Sequence, residues 1–362
     1  MRLRIRCLSQ WVVLAGLLAL PTQAELFVSS FLSHQVYRFN DTTGAFLDRF
    51  LPNTDQRLSL PHGLAFGSDG HLYVASAGND SILRYDGQTG TFRDTFVPNG
   101  RGGLDYPVAL VFRPDGRLYV TSQLTDQVLR YDATTGAFLD VFISGIRDLQ
   151  GPSDLKFGPD GDVYVVGRFS NRVVRCDGVT GAHKSTFATE HLSQPFGLQQ
   201  LPSGDWVVMS GNGNRGVRFA ADGSFRGDFL VTGNLSLPVG VSLGPDGALY
   251  VANFNAGQMV RFNATTGAFL NVFVSPSPSG LTGPNFFTFR TPEPPVLQIT
   301  GSADTVTVHW PTSTSAWRLE SRSSLNQMDW STVGSPPVAQ QGTNRVTLPT
   351  PETEQFFRLR LP

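Results

Sequence analysis

Pro61-His-Gly-Leu-Ala-Phe-Gly-Ser-Asp-Gly-His-Leu-Tyr-Val74 is the stretch on which the fold turns. It reads as two short β-strands, 63–66 and 72–75, around a Ser-Asp-Gly turn, where Asp-Gly supplies the positive φ of a tight hairpin. Aligned copies begin without gaps at Pro107, Pro152, Pro195 and Pro238, and a sixth opens at Pro284 and stops. Two more strands complete the first unit, 81–85 and 91–96, joined by the Asp-x-x-Thr-Gly turn of 86–90. Four strands in a period of about 45 residues is the length of a propeller blade.

The ends predict how the array closes. The chain after residue 24 starts with strands at 26–29, 35–39 and 45–50 and lacks an innermost strand of its own. The orphan strand at 286–289 is the missing piece, so 284–289 is expected to pair with 26–29. Five whole units and this composite make an all-β, six-bladed β-propeller over 25–290, closed by strand exchange. Closure hides two edges that would otherwise pair with other chains.

The Pro-x-Gly-Leu-x-Phe-x-Pro-Asp-Gly-x-Leu-Tyr-Val signature and the Leu-Arg-Tyr-Asp strand resemble the NHL-repeat class of six-bladed propellers. The resemblance implies the fold and leaves the chemistry open, because such propellers include enzymes and protein-binding platforms.

Residues 291–296, Thr-Pro-Glu-Pro-Pro-Val, read as a stiff linker. In 297–362, strand-like alternation recurs at 306–310, 317–321, 330–333, 345–348 and 356–360. This predicts a small C-terminal β-sandwich, similar to the fibronectin type III-like modules that end many secreted bacterial proteins. Its roles there would be spacing, attachment or sorting.

Residues 1–24 have the form of an export signal: Arg2, Arg4 and Arg6, an apolar run over 11–20, and small residues before a cleavage point after Ala24. The apolar run is too short to span a bilayer, and no later segment would. The expected location is therefore extracellular or periplasmic. The chain has 28 basic and 29 acidic residues, and loss of the three leader arginines makes it clearly acidic. That argues against nucleic acid as a partner. Cys7 lies in the leader, so Cys176 has no disulfide partner in the mature chain. A monomer is expected.

Functional residues are sought where the repeat is broken. Just after each proline stand His62, Val108, Ser153, Phe196, Val239 and Asn285, followed by Gly63, Ala109, Asp154, Gly197, Gly240 and Phe286. Asp154 departs from a column of small residues, and Lys156 is two residues on. The pair reads either as a polar site at the channel mouth or as a structural ion pair. His62 reads as a metal ligand or general base, or as a hydrogen-bonded core histidine. The loops between second and third strands end in His34, Asp80, Asp126, Asn171, Asn214 and Gly257, residue types that tolerate left-handed backbone and cap their own turns. The middles of these loops carry Gln123, Arg168, Asn212, Asn253 and Asn255, a polar rim. Arg38, Arg84, Arg130, Arg175, Arg218 and Arg261 fill one column and read as structure.

The candidate ligand-binding set is therefore His62, Ser153, Asp154, Asn285, Arg168, Asn212, Asn253 and Asn255. His62, Asp154 and Asn285 are the candidates for a divalent metal, calcium or magnesium. No nucleotide loop, zinc pattern or nucleophile elbow occurs. Two enzyme families of similar rhythm offer a contrast. Gluconolactonases bind their metal from a glutamate near the first inner strand, but the only glutamates of 25–290 are Glu25 and Glu190. Virginiamycin B lyase-like proteins use a His and Glu set around magnesium that has no counterpart here. The reading is a secreted binding scaffold for a protein partner or for a polar small molecule or carbohydrate. The alternative is a metal-dependent lactonase or lyase with its site at the channel mouth.

Overall fold

The computed structural model describes residues 3–4, 24–52, 56–290, and 297–360 apart from 303, 312–316, 324–329, 341 and 350–354. Most of the expected export signal and the whole of the expected linker lie outside these. The chain divides into two units. One is Glu25–Arg290, and the other contains the C-terminal segment.

Glu25–Arg290 holds six four-stranded antiparallel sheets, five of them in simple chain order from innermost to outermost strand. The exception is the first, in which Pro284–Arg290 lies inside Glu25–Ser30, Gln35–Asn40 and Phe46–Arg49. Leu26 faces Phe289 and Val28 faces Phe287, as the ends of the repeat array predict. An ion pair secures the seam, with Arg290 bonded to Glu25, which also meets Arg38 at 3.2 Å. The unit is a β-propeller closed by strand exchange.

Six apolar clusters hold the ring together, one at each junction between successive sheets. The second strand usually supplies an aromatic that packs edge-on against two others. One comes from its own outermost strand and one from the next sheet. Tyr73 sits 4.8 Å from Phe96 and 4.7 Å from Phe112, and Tyr119 sits 4.9 Å from Phe142 and 5.0 Å from Phe157. Tyr250 repeats this at the seam, 5.0 Å from Phe289. Each such pair contributes about 0.5–1.5 kcal/mol beyond its burial.

The repeated arginines brace each sheet internally. The arginine column pairs with acids throughout: Arg38, Arg84 and Arg130 with Asp48, Asp94 and Asp140, and Arg175, Arg218 and Arg261 with Asp162, Asp205 and Asp246. The Asp-x-x-Thr-Gly turns need glycine for more than their positive φ. A Cβ on Gly90 would stand 1.9 Å from the Phe50 carbonyl of the preceding sheet.

The last residue of each second-to-third-strand loop is left-handed, as its residue type suggests. Its side chain, however, does not cap its own turn in the five sheets that have one there. It reaches the next sheet and accepts the backbone N–H of the residue before the proline. Asp80 takes Tyr106 at 2.8 Å, Asp126 takes Gly151 at 2.7 Å, and Asn171 takes Gln194 at 2.7 Å. Asn214 takes Leu237 at 2.8 Å, and His34 Nδ1 takes Leu60 at 3.1 Å. The donors are themselves left-handed, so four of the clips fix a strained residue, and the fifth holds Gly151, which takes that conformation freely. The sixth position is Gly257, which has no side chain to offer.

The C-terminal unit has two four-stranded sheets. Gln298–Gly301, Thr305–Pro311, Thr343–Pro349 and Val338–Gln340 form one. Leu3–Arg4, Phe356–Arg360, Arg318–Arg322 and Ser331–Thr332 form the other. Trp310, Val308 and Val346 from the first share a core with Leu319 and Phe357 from the second.

The clips make a stability prediction. Asp126→Ala leaves the Gly151 N–H without its acceptor and should lower stability by about 1–2 kcal/mol. Asp126→Asn, the residue type that does this work in two other sheets, should recover most of it. Denaturant titration of both variants decides the matter, and equal losses would contradict the clip.

Candidate functional site

Each innermost strand carries one extra residue just after its proline. Pro61 faces Ser76 and Leu64 faces Val74, so His62 and Gly63 together oppose Ala75. The same shift follows the other five prolines. Such bulges re-aim side chains, and here they turn the residues that break the repeat toward one another across sheet boundaries.

His62 is the centre of the resulting cluster and is 3 % exposed. Its Nδ1 lies 2.8 Å from Asn285 Nδ2, on the innermost strand of the preceding sheet. The amide donates, so Nδ1 is bare and Nε2 carries the proton. Nε2 lies 3.4 Å from the Tyr106 hydroxyl of the following sheet. Phe31 packs edge-on against the imidazole at 5.1 Å and meets Phe254 at 5.8 Å. Burial, helped by the Arg168 charge, lowers the His62 pKa to about 3. The ring is neutral at any ordinary pH.

Arg168 lies in the fourth sheet's loop, half-buried, with its guanidinium 4.1 Å over Phe196 and 5.5 Å from Phe169. Its Nη2 reaches Gln194 Oε1 at 3.4 Å, and burial lowers its pKa. The Tyr106 hydroxyl is made less acidic by its own burial, an effect that Arg168 opposes. Three buried polar atoms in this region have no hydrogen-bond partner: Asn285 Oδ1, Gln123 Nε2 and Arg168 Nε. Such atoms are uncommon in folded proteins and call for an explanation.

The eight candidates from the sequence separate in space. His62, Asn285 and Arg168 belong to the cluster. Ser153 is buried and donates to the carbonyls of Phe196 at 2.9 Å and Pro195 at 3.2 Å. Asp154 is 2 % exposed. One of its oxygens accepts the Leu155 N–H at 2.8 Å and the other the Leu198 N–H of the next sheet at 3.1 Å. Burial raises its pKa, against Lys156, whose ammonium stands 3.9 Å away. Asp154 braces its sheet to the next, with Lys156 beside it on the same strand. Asn253 is also saturated, by Ser236 N–H at 2.7 Å and Asn234 carbonyl at 2.8 Å. Asn212 and Asn255 are exposed at loop tips.

The metal candidates do not make one ligand set. Asp154 has both oxygens on backbone amides, and His62 Nδ1 is held by Asn285. Among the described residues no group of three His, Cys, Asp or Glu side chains converges. The residues present do not fit a divalent ion.

Sequence reasoning passed over Tyr106, Phe31 and Phe254 and treated Gln123 only as rim. A signal for them existed. Phe31, Gln123, Arg168 and Phe254 share one loop column with Ala77 and Gly211, and Tyr106 shares a pre-proline column with Gly151 and Gly283. Large residues in columns that also take glycine are the asymmetry to look for.

No family model and no curated protein matches the chain. Solved structures share its fold. One, from a nidogen/laminin complex, has TM-score 0.61 and 16 % identity, covering 74 % of this chain and 98 % of that one. Another, virginiamycin B lyase from Staphylococcus aureus, has TM-score 0.50 and 18 % identity, covering 70 % of this chain and 81 % of that one. At these identities the likeness is one of fold.

The buried histidine predicts a pH effect. Unfolded, His62 gains a proton near 6.5; folded, it does so only near 3. The unfolded chain binds more protons between those values, so stability falls with pH below 6.5, by up to about 1.4 kcal/mol per unit. His62→Gln should show a shallower loss than the native chain from pH 7 to about 4.5, above most carboxylate titration. Parallel stability curves would contradict the burial of a neutral imidazole.

Proposed function

We propose that this chain is an exported binding protein whose loop-face mouth, at the junction of the first four sheets, takes a polar ligand. The observation that carries this is the set of partnerless buried atoms on Asn285, Gln123 and Arg168. They sit beside His62 and Tyr106, where the repeat otherwise places small or apolar residues. A ligand's own polar groups would complete them, with Phe31 and Phe254 as an apolar wall.

Two open depressions elsewhere support the reading less. One is lined by Arg84, Asp86 and Asp94 and the other by Asp148, Arg172 and His183, and in both the charges already pair with each other.

The repeat signature supports an NHL-type propeller, and the two C-terminal sheets suit a fibronectin type III-like module. The arginines and apolar run of 1–24 support export, and a monomer goes with this reading. Of the two solved relatives, one comes from a protein–protein complex and the other is named as a lyase. A metal-dependent lactonase or lyase would need several carboxylate or imidazole donors at one point. The mouth offers one imidazole, already bonded, which favours binding over that chemistry.

Crystallographic screening with neutral polar fragments tests the placement. Hits should lie against Asn285 and Gln123, and Gln123→Ala should weaken them by about 1 kcal/mol, roughly fivefold. Hits confined to the opposite, Asp-Gly-turn face would contradict it.

A further inference from the structure

Resting on the mouth as a binding site, we infer that its ligand is an anion: a carboxylate carried on a hydroxylated ring. The argument begins with charge. Each of the six column arginines has an aspartate partner. Arg168 has the same half-buried character, yet among the described residues its guanidinium hydrogen-bonds the neutral Gln194 and no carboxylate pairs with it. A cation taken partly out of water without a counter-ion is costly, and an arriving anion removes that cost.

The guanidinium is also held ready. Phe196 supports its face at 4.1 Å, so its fork is fixed before anything binds. Its Nε is without a partner, as a bidentate carboxylate contact requires. Gln123 Nε2 is a second donor without a partner, enclosed as the side chain now stands.

Three of the acidic groups nearest in sequence to this region are already committed, while Asp105, beside Tyr106, is half-buried. Asp154 holds two amides, Asp126 holds Gly151, and Asp80 holds Tyr106.

The far side of the cluster differs in kind. Asn285 Oδ1 is an acceptor, 2 % exposed as a residue and unpartnered. It calls for a donor on the ligand's body, such as a hydroxyl. Phe31 and Phe254, 5.8 Å apart and tilted, offer a surface for a ring face. A sugar acid and an aromatic hydroxy acid both combine these features.

Binding of glucuronate, glucose, 4-hydroxybenzoate and phenol to the mature protein is the test, measured by calorimetry at low salt. At least one of the two carboxylates should bind about tenfold or more tightly than its neutral counterpart. The sugar and aromatic arms tell which ring the site takes. Arg168→Met should abolish the preference without lowering the melting temperature, and Asn285→Asp should weaken the carboxylate further by adding a like charge. A carboxylate that binds no better than its neutral counterpart overturns the inference, as does a preference that survives Arg168→Met. If the neutral compounds still bind at the mouth in that case, the binding site stands and only its charge selectivity falls. If they bind solely elsewhere, the site itself falls as well.

Discussion

A ring of sheets has no open edge only if its last strand reaches its first. In this chain that contact is the ladder between Pro284–Arg290 and Glu25–Ser30. Everything else depends on it. The ladder brings Asn285, from the end of the propeller, against His62, from its second sheet, and so builds the mouth from residues 223 positions apart. It is reinforced by what the repeat alone would not supply, namely the buried Glu25–Arg290 pair and the packing of Arg290 over Phe27 at 5.0 Å. The seam also lacks the clip found at the other five junctions, because Gly257 stands in that column. The ladder and its ion pair carry a load that a side-chain bond shares elsewhere.

Two kinds of polar residue emerge. Those that follow the repeat are structural: the arginine column and the turn aspartates brace each sheet internally, and the clip acceptors hold sheets to one another. Those that break the repeat divide again. Ser153 and Asp154 break it to make extra bonds to the next sheet. His62, Tyr106, Gln123, Arg168 and Asn285 break it at the mouth, and the last three of these leave buried atoms unsatisfied. Buried polar atoms cost stability unless bonded, so the second group is where a ligand has most to offer.

Much of the fold was legible in the residues. The spaced prolines and Asp-Gly turns announce the blades, and the truncated first unit announces the closure. The site was legible only in part. His62, Asn285 and Arg168 stand out in an alignment of the repeats, and all three lie in the cluster. Asp154 stands out equally and is a brace. No spacing rule tells these apart, because the bulge after each proline upsets the alternation from which side-chain direction is read. The clip acceptors show a related limit. Asp, Asn and His at a left-handed position announce a turn, but the bond they make crosses to a residue about 25 positions on, visible only once two sheets are in place.

The central claim is that the two ends of the propeller form one sheet on which the mouth is built. Amide hydrogen exchange of the chain tests it most directly. Amides of 25–30 and 284–290 that face each other should be protected to the same degree as those pairing the innermost two strands of the other sheets, and should open with them in one cooperative step. Exchange of 284–290 on the timescale of a frayed end, with the remaining sheets still protected, would contradict it.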